Sequence, residues 1–404
     1  MTEELWRLTA REAVERLRRK EISPLELIDA AEARIAEMEP QINALPILCF
    51  ERARAHAARI MRDSAAAAAP AYLHGLPIVV KDLTAVAGVR WTEGSRAFAD
   101  RVAARSDLLV ERLEANGAVV IGKSNTPEFG AGGNTVNDVF GATRNPWNLA
   151  YTSGGSSGGS AAALATGEAW LATGSDMAGS VRLPASFCSV VGLRPSAGRV
   201  AHGPRPLLFS PLDLDGPMAR NVGDVALMLD AMAGACAEDP LALPAEAVPF
   251  IRAVDQPAAP RRVAWSPDLG VAPTDAEVRA ICGRAVRSFE AVGATIEEDC
   301  PDLREAEGAF QILRNMHRVA GTMDLLAEHR DSLSEEIVFY TERGLTASAR
   351  DLGRAELARS ALCQRMIEFF KRYDVLVTPT VIVPPFDVRQ RHVMEVNGMT
   401  LPDY

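Results

Sequence analysis

The sequence predicts an α/β protein, a central β-sheet covered by helices on both faces. Two observations carry this. Short aliphatic and β-branched runs, GLPIVV at 75–80 and AVVIG at 118–122, have the length of buried strands. Helical periodicity lies before, between and after them, and strands that alternate with helices need a sheet covered on both sides. The composition agrees, because 48% hydrophobic and 24% charged over 404 residues is ordinary for a globular chain.

The elements follow in chain order. Leu5, Leu8, Ala13, Val14 and Leu17 share a helical stripe over 4–20. Ser23-Pro24-Leu25-Glu26 opens a second helix, with Ser23 as N-cap, Pro24 at the first helical position and Glu26 closing a capping box. A third helix is expected over 51–61, and the Ala65–Ala69 run ending at Pro70 is a connector. The strand at 76–80 ends at Lys81 and Asp82. A helix over 108–115 stops at Asn116-Gly117, and the next strand leads into Lys123. Residues 124–153, rich in Gly, Asn, Thr and Pro, are expected to be a long ordered functional loop. A helix follows Gly159, a strand covers 168–173, and GSDMAGS breaks it. Further on come a short apolar piece at Val190-Val191, a helix at 225–232, a strand at 262–265, a helix at 275–291 and a strand at 294–297. Helical stretches near 303–329 and 352–372 precede a strand at 374–378. The chain is expected to be one domain over 1–404, with a catalytic core near 70–235 and a mostly helical cap or subdomain near 303–372. QPAAP, which holds Pro257 to Pro260, is the linker candidate.

Several function classes drop out. A net charge of −10 without a Lys/Arg run gives no footprint for nucleic acid. The most apolar helical stretch, Val225 to Ala237, is too short to span a membrane and carries Asp230. MTEELWRLTA lacks the basic and apolar regions of an export signal, so a cytoplasmic location is expected. The cysteines (49, 188, 236, 282, 300 and 363) include no C-x-x-C pair, and the six histidines show no ligand spacing. No disulfide frame, metal or cofactor is expected. The partner is a small molecule, with room left for a homodimer.

Only Lys20, Lys81, Lys123 and Lys371 are lysines among 43 basic residues. Arg never loses its proton at working pH, whereas a buried Lys can serve as a base. Lys81 stands out by its apolar setting, GLPIVVKDL. The serines concentrate between Gly154 and Pro184, with Ser156 and Ser180 in two Gly/Ser clusters. GGSSG matches a nucleophile elbow around Ser156, but RNPWNLAYTS before it does not read as the buried strand an elbow needs. Phosphate cradling fares no better, since no G-K-[ST] ends the run. The third arrangement takes Lys as the base.

GLPIVVKDL, GKSNTPEFG, TRNPW, GGSSGGSAAALA and GSDMAGSVRLPASFCSVVGLRPS, in this order and spacing, resemble the amidase signature family. DGPMARNVGDVALMLDAMAG and DVLVTPT are similar to it as well, so the resemblance runs from about Ser23 to the end. It implies the amidase signature fold, with a mixed central β-sheet covered by helices on both faces, and hydrolysis of a carboxylic amide through an acyl-enzyme. Ser180 becomes the nucleophile, Ser156 the bridging serine on a cis peptide, and Lys81 the base. The turn Met177-Ala178-Gly179-Ser180 would offer backbone N–H groups to the oxyanion. Gly130, Ala131 and Gly132 match the family's substrate-facing loop. Asp176 and Arg182 are expected to hold the nucleophile turn by pairing, Ser157, Ser160 and Ser175 to be plain hydrogen-bonders, and Cys188 to be core.

Two departures support an alternative, a non-catalytic or impaired binding or complex subunit. Ala178 stands where the family commonly has glycine, and in a left-handed conformation Ala costs about 1–2 kcal/mol. The chain also ends at LPDY, short of the family's C-terminal part. Within the family, HRVAGTMDLLAEHRDSLSEE and N-T-P-E-F-G favour a stand-alone amidase over the glutaminase subunit of a tRNA amidotransferase.

Overall fold

The computed structural model describes residues 4–62 and 71–401. The Ala65–Ala69 connector lies outside them. The chain divides into two compact units, one of residues 1–256 with 385–392, the other of 257–384 with 393–404; the division falls at QPAAP.

The first unit opens with two capped helices. The stripe expected over 4–20 is split: a 3-10 turn, Leu5–Arg7, precedes α1 (Ala10–Arg18), because Thr9 and Glu12 form a capping box that restarts the helix. α2 (Pro24–Ile42) begins at the Ser23–Glu26 box. After β1 (Ile47–Leu48) come α3 (Phe50–Arg62) and β2 (Pro77–Lys81). α4 (Leu108–Ala115) is capped by Asp107 and leads to β3 (Val119–Ser124). The segment expected to be one long loop is more ordered. It folds β4 (Val136–Asn137) onto β5 (Gly141–Ala142), and β6 (Arg144–Asn145) onto β7 (Asn148–Thr152).

α5 (Gly158–Thr166) precedes β8 (Leu171–Asp176), which runs on through Gly174, Ser175 and Asp176 instead of breaking at Thr173. α6 (Arg182–Cys188), β9 (Val191–Gly192), β10 (Leu214–Ala219), α7 (Val222–Met232) and α8 (Ile251–Asp255) complete the run. The sheet order is β1-β3-β2-β8-β10-β9. β3, β2 and β8 are mutually parallel, while β1, β10 and β9 pair antiparallel, so the sheet is mixed as predicted. β2, β3, β8 and β10 are buried along their whole length. One continuous core includes Leu27, Ile78, Val120, Ala162, Leu171 and Met228. Residues 385–392 join this unit: Phe386 C=O accepts from Thr152 N–H, and Val388 N–H donates to Ala150 C=O.

The second unit has a parallel sheet of β11 (Arg262–Trp265), β12 (Thr295–Glu298) and β13 (Val375–Val377), ordered β12-β11-β13. Its helices are α9 (Ala276–Val286), α10 (Ala306–His329), α11 (Glu335–Leu345) and α12 (Ala349–Phe369). A two-residue hairpin pair, β14 (Glu395–Val396) and β15 (Met399–Thr400), follows. No helix among the described residues is long and apolar enough to cross a membrane.

Candidate active site

Parallel strands gather ligand sites at their carboxyl ends. Here three such ends lie side by side: Lys81 closes β2, Ser124 closes β3 in register with it, and Asp176 closes β8. Lys81 is fully buried because its strand has aliphatic neighbours on both flanks. Its backbone N–H donates to Thr173 Oγ1 at 3.0 Å, fixing where the side chain starts. Its Nζ donates to Ser156 Oγ at 2.6 Å and to Ser175 Oγ at 3.0 Å. Among the described residues it has no ion pair. Burial therefore pulls the ammonium down from 10.5 to about 7, against the opposing pull of Asp213, Asp215 and Asp176, with Arg205 adding to the fall.

Ser156 is 2% exposed and sits on a cis peptide after Gly155. The residue before it must be glycine, since a Cβ on Gly155 would stand 2.7 Å from Gly132 C=O. The loop Gly130–Gly132 thus backs Ser156: a Cβ on Gly130 would lie 3.4 Å from its Oγ. Ala131 between them is extended.

Ser180 reaches this neighbourhood through its backbone, as its carbonyl accepts from Ser157 N–H at 3.1 Å. The side chain is half-buried and hydrogen-bonds to no described residue. Its turn is built by Asp176, whose carboxylate accepts from Gly179 N–H at 2.9 Å, Val181 N–H at 3.1 Å and both arms of the Arg182 guanidinium. Burial alone would raise the Asp176 carboxyl, but Arg182 and the two amides outweigh it and hold it at about 2. Gly179 takes the left-handed place in the turn, at φ +103°. Ala178 has no positive φ, so the cost that a left-handed alanine would carry does not arise there. Gly179 N–H is committed to Asp176, which removes it from the oxyanion donors expected in the turn. The amides of Met177, Ala178 and Ser180 have no partner among the described residues.

Ser175, expected to be a plain hydrogen-bonder, belongs to the lysine's own shell. Because β8 runs on past Thr173, Thr173 and Ser175 face one side of it, and both meet Lys81. Ser157 and Ser160 do bond to β8 carbonyls, of Ser175 and Thr173. Cys188 is buried, and burial raises its thiol well above the ordinary range. Among the described residues no cluster of three or more His, Cys, Asp or Glu could hold a metal ion.

Residues 26–401 match the family model described as Amidase. An acylamidase of Rhodococcus erythropolis is 37% identical over 393 residues, 96% of this chain and 82% of the relative. A glutamyl-tRNA(Gln) amidotransferase subunit from a Synechococcus strain is 35% identical, covering 94% of this chain and 81% of that protein. Among solved structures, a bacterial aryl acylamidase of the amidase signature enzymes superposes with a TM-score of 0.91 at 29% identity, over 98% of this chain and 85% of that one.

Proposed function

Since the chain belongs to the amidase signature family of amide hydrolases, we propose that it cleaves its amide through Lys81, Ser156 and Ser180 by way of an acyl-enzyme. The observation that carries this is the 2.6 Å contact between Ser156 Oγ and the Nζ of a fully buried Lys81 that has no ion pair among the described residues. A lysine so placed is an amine over part of the neutral range and can accept a proton.

Neutral Lys81 takes the Ser156 hydroxyl proton as Ser156 takes that of Ser180. Ser180 Oγ attacks the amide carbon, the C–O bond forms, and the carbonyl electron pair moves onto oxygen. Amide N–H groups of Met177, Ala178 and Ser180 are the donors for that oxyanion, and such preorganised dipoles are usually the largest single catalytic term. The relay then runs backwards: the leaving nitrogen takes a proton as the C–N bond breaks, releasing amine or ammonia. Water, activated by the same lysine–serine pair, hydrolyses the ester and restores Ser180.

For the substrate we infer an uncharged aliphatic or aryl amide, handled by a free enzyme. The apolar character of Phe129 to Phe140 and Met177 supports this, as do the similarities to an acylamidase and an aryl acylamidase. The amidotransferase likeness supports a second reading, a glutaminase within a larger complex. Assay of ammonia from glutamine beside amine from anilides separates the two.

The test of the triad is covalent labelling with a fluorophosphonate, read by peptide mass spectrometry. Labelling on Ser180 is expected, lost in Ser180→Ala and in Lys81→Met. A label on Ser156 that survives Ser180→Ala would sink the assignment in favour of an elbow-type nucleophile. A wild type that takes no label and turns over no amide would favour a non-catalytic member.

A further inference from the structure

Across the β8–β10 pair the register sets Asp215 opposite Ser175, the residue whose hydroxyl holds Lys81 Nζ. The strand is otherwise a core strand, with Leu214, Met218 and Ala219 buried. Asp215 is 2% exposed, and its Oδ1 has no hydrogen-bond partner among the described residues. A buried carboxylate oxygen without a partner is destabilising, so its retention asks for a function. Its Oδ2 accepts from Arg205, whose other arm donates to Asp213 at 3.0 Å. Arg205 comes from the loop between β9 and β10 and spans both carboxylates.

We propose that Asp213, Asp215 and Arg205 form a charge-balancing cluster that sets the protonation of Lys81, the carboxylates favouring its ammonium and Arg205 offsetting them so that the amine persists. This rests on the reading of Lys81 as the base. Arg205 touches no reacting atom and is a positioning residue.

The other charges around Lys81 are already engaged. On β3, Lys123 is paired with Asp82 at 2.7 Å. In the loop after β2, Glu93 is paired with Arg101. On β8, Asp176 is held by Arg182 and Arg194. Behind the cluster, Asp107 accepts from Leu109 N–H and Gly203 N–H, and burial pushes its carboxyl up to about 7. Burial likewise keeps the His202 imidazole below its ordinary value, and Asp239 accepts from the His202 backbone N–H. The cluster of two acids and one arginine is therefore the adjustable part. Its members act on Lys81 in opposite senses: Asp213 and Asp215 raise its pKa and Arg205 lowers it.

The scarcity of lysine supplies the test. With four lysines in the chain, the full-length protein labelled with 13Cε-lysine gives a countable spectrum, and Lys81→Met identifies the Lys81 signal. Its titration midpoint is expected to rise by about one pH unit in Arg205→Met and to fall by a similar amount in Asp215→Asn, the low end of the range for a neighbouring charge. Arg205→Lys should restore the native midpoint. The acid limb of kcat/KM on an anilide should follow in each variant. Midpoints that stay put, or move the same way in both variants, overturn the proposal. Opposite shifts in the spectrum with an unmoved acid limb uphold it and remove Lys81 from the role of base. Should Arg205→Met fail to fold, the fall in Asp215→Asn and the native midpoint in Arg205→Lys decide alone.

Discussion

Lys81, the last residue of β2, and Lys123, the last but one of the neighbouring parallel β3, are both fully buried, yet they face different partners. Lys123 Nζ meets the Asp82 carboxylate at 2.7 Å, and Asp82 is further held by Thr92 N–H and its hydroxyl. Lys81 Nζ meets two serine hydroxyls. Burial lowers the pKa of each lysine, but at Lys123 the paired carboxylate pulls back. The lesson is that the same strand end can store a neutralised ion pair or present a titratable amine, and one carboxylate makes the difference. The first is a structural device; the second is the base of the proposed relay.

Breaking the contrast most severely means removing the groups on the relay side. Ser180→Ala should lower kcat by about 10⁴- to 10⁶-fold, as for nucleophiles that act within a triad. Lys81→Met should cost about 10³-fold, within the range for a general base. Ser180→Ala should keep the wild-type thermal midpoint. Lys123→Met should do the reverse, leaving Asp82 buried without its partner and destabilising the fold by about 3–5 kcal/mol. Its folded fraction should turn over substrate at the native rate. Differential scanning calorimetry beside an anilide assay reads both; a Lys123→Met protein of native stability would erase the distinction.

A gentler perturbation is pH. With its midpoint near 7, Lys81 should make kcat/KM rise between pH 6 and 8, provided chemistry limits the rate. The stability sign follows from linkage. The folded-state value is depressed below the unfolded 10.5, so the unfolded chain binds more protons between about 7 and 10.5. This group's contribution to stability therefore rises with pH across that window, and Lys81→Met should flatten it. A flat activity profile from pH 6 to 9 would count against the relay.

The contrast also marks what a sequence can disclose. β2, β3 and α4 were legible because their apolar runs and caps are local. The continuation of β8 through Gly174-Ser175-Asp176 was not, since such residues are depleted in strands. Tertiary packing overrides that preference: a Cβ on Gly174 would stand 2.8 Å from Val181 and 2.9 Å from the Met218 sulfur. Only that extension puts Ser175 on the lysine. Lys81, Ser156 and Ser180 were named from motif order, which survives without geometry. Arg205 belongs to no motif; Asp215 opens the DGPMAR run, but nothing in that run says that it faces Ser175, which follows only because β10 returns beside β8. The split of the first helical stripe at Thr9 was missed because its apolar periodicity runs through the capping box.

The smallest effects test the nucleophile turn. Gly179→Ala places a side chain at φ +103° and should cost about 1–3 kcal/mol of local strain, seen as about a tenfold fall in kcat/KM. Ala178→Gly should change kcat/KM less than about threefold, because Ala178 already has an ordinary φ and glycine there relieves nothing. The two neighbours differ by one methyl group and by the sign of φ, so the pair isolates backbone conformation from side-chain bulk. A gain of orders of magnitude in Ala178→Gly would mean that the methyl crowds the oxyanion donors of Met177 and Ser180. The native turn would then be an impaired one, and the non-catalytic reading would regain its strongest support.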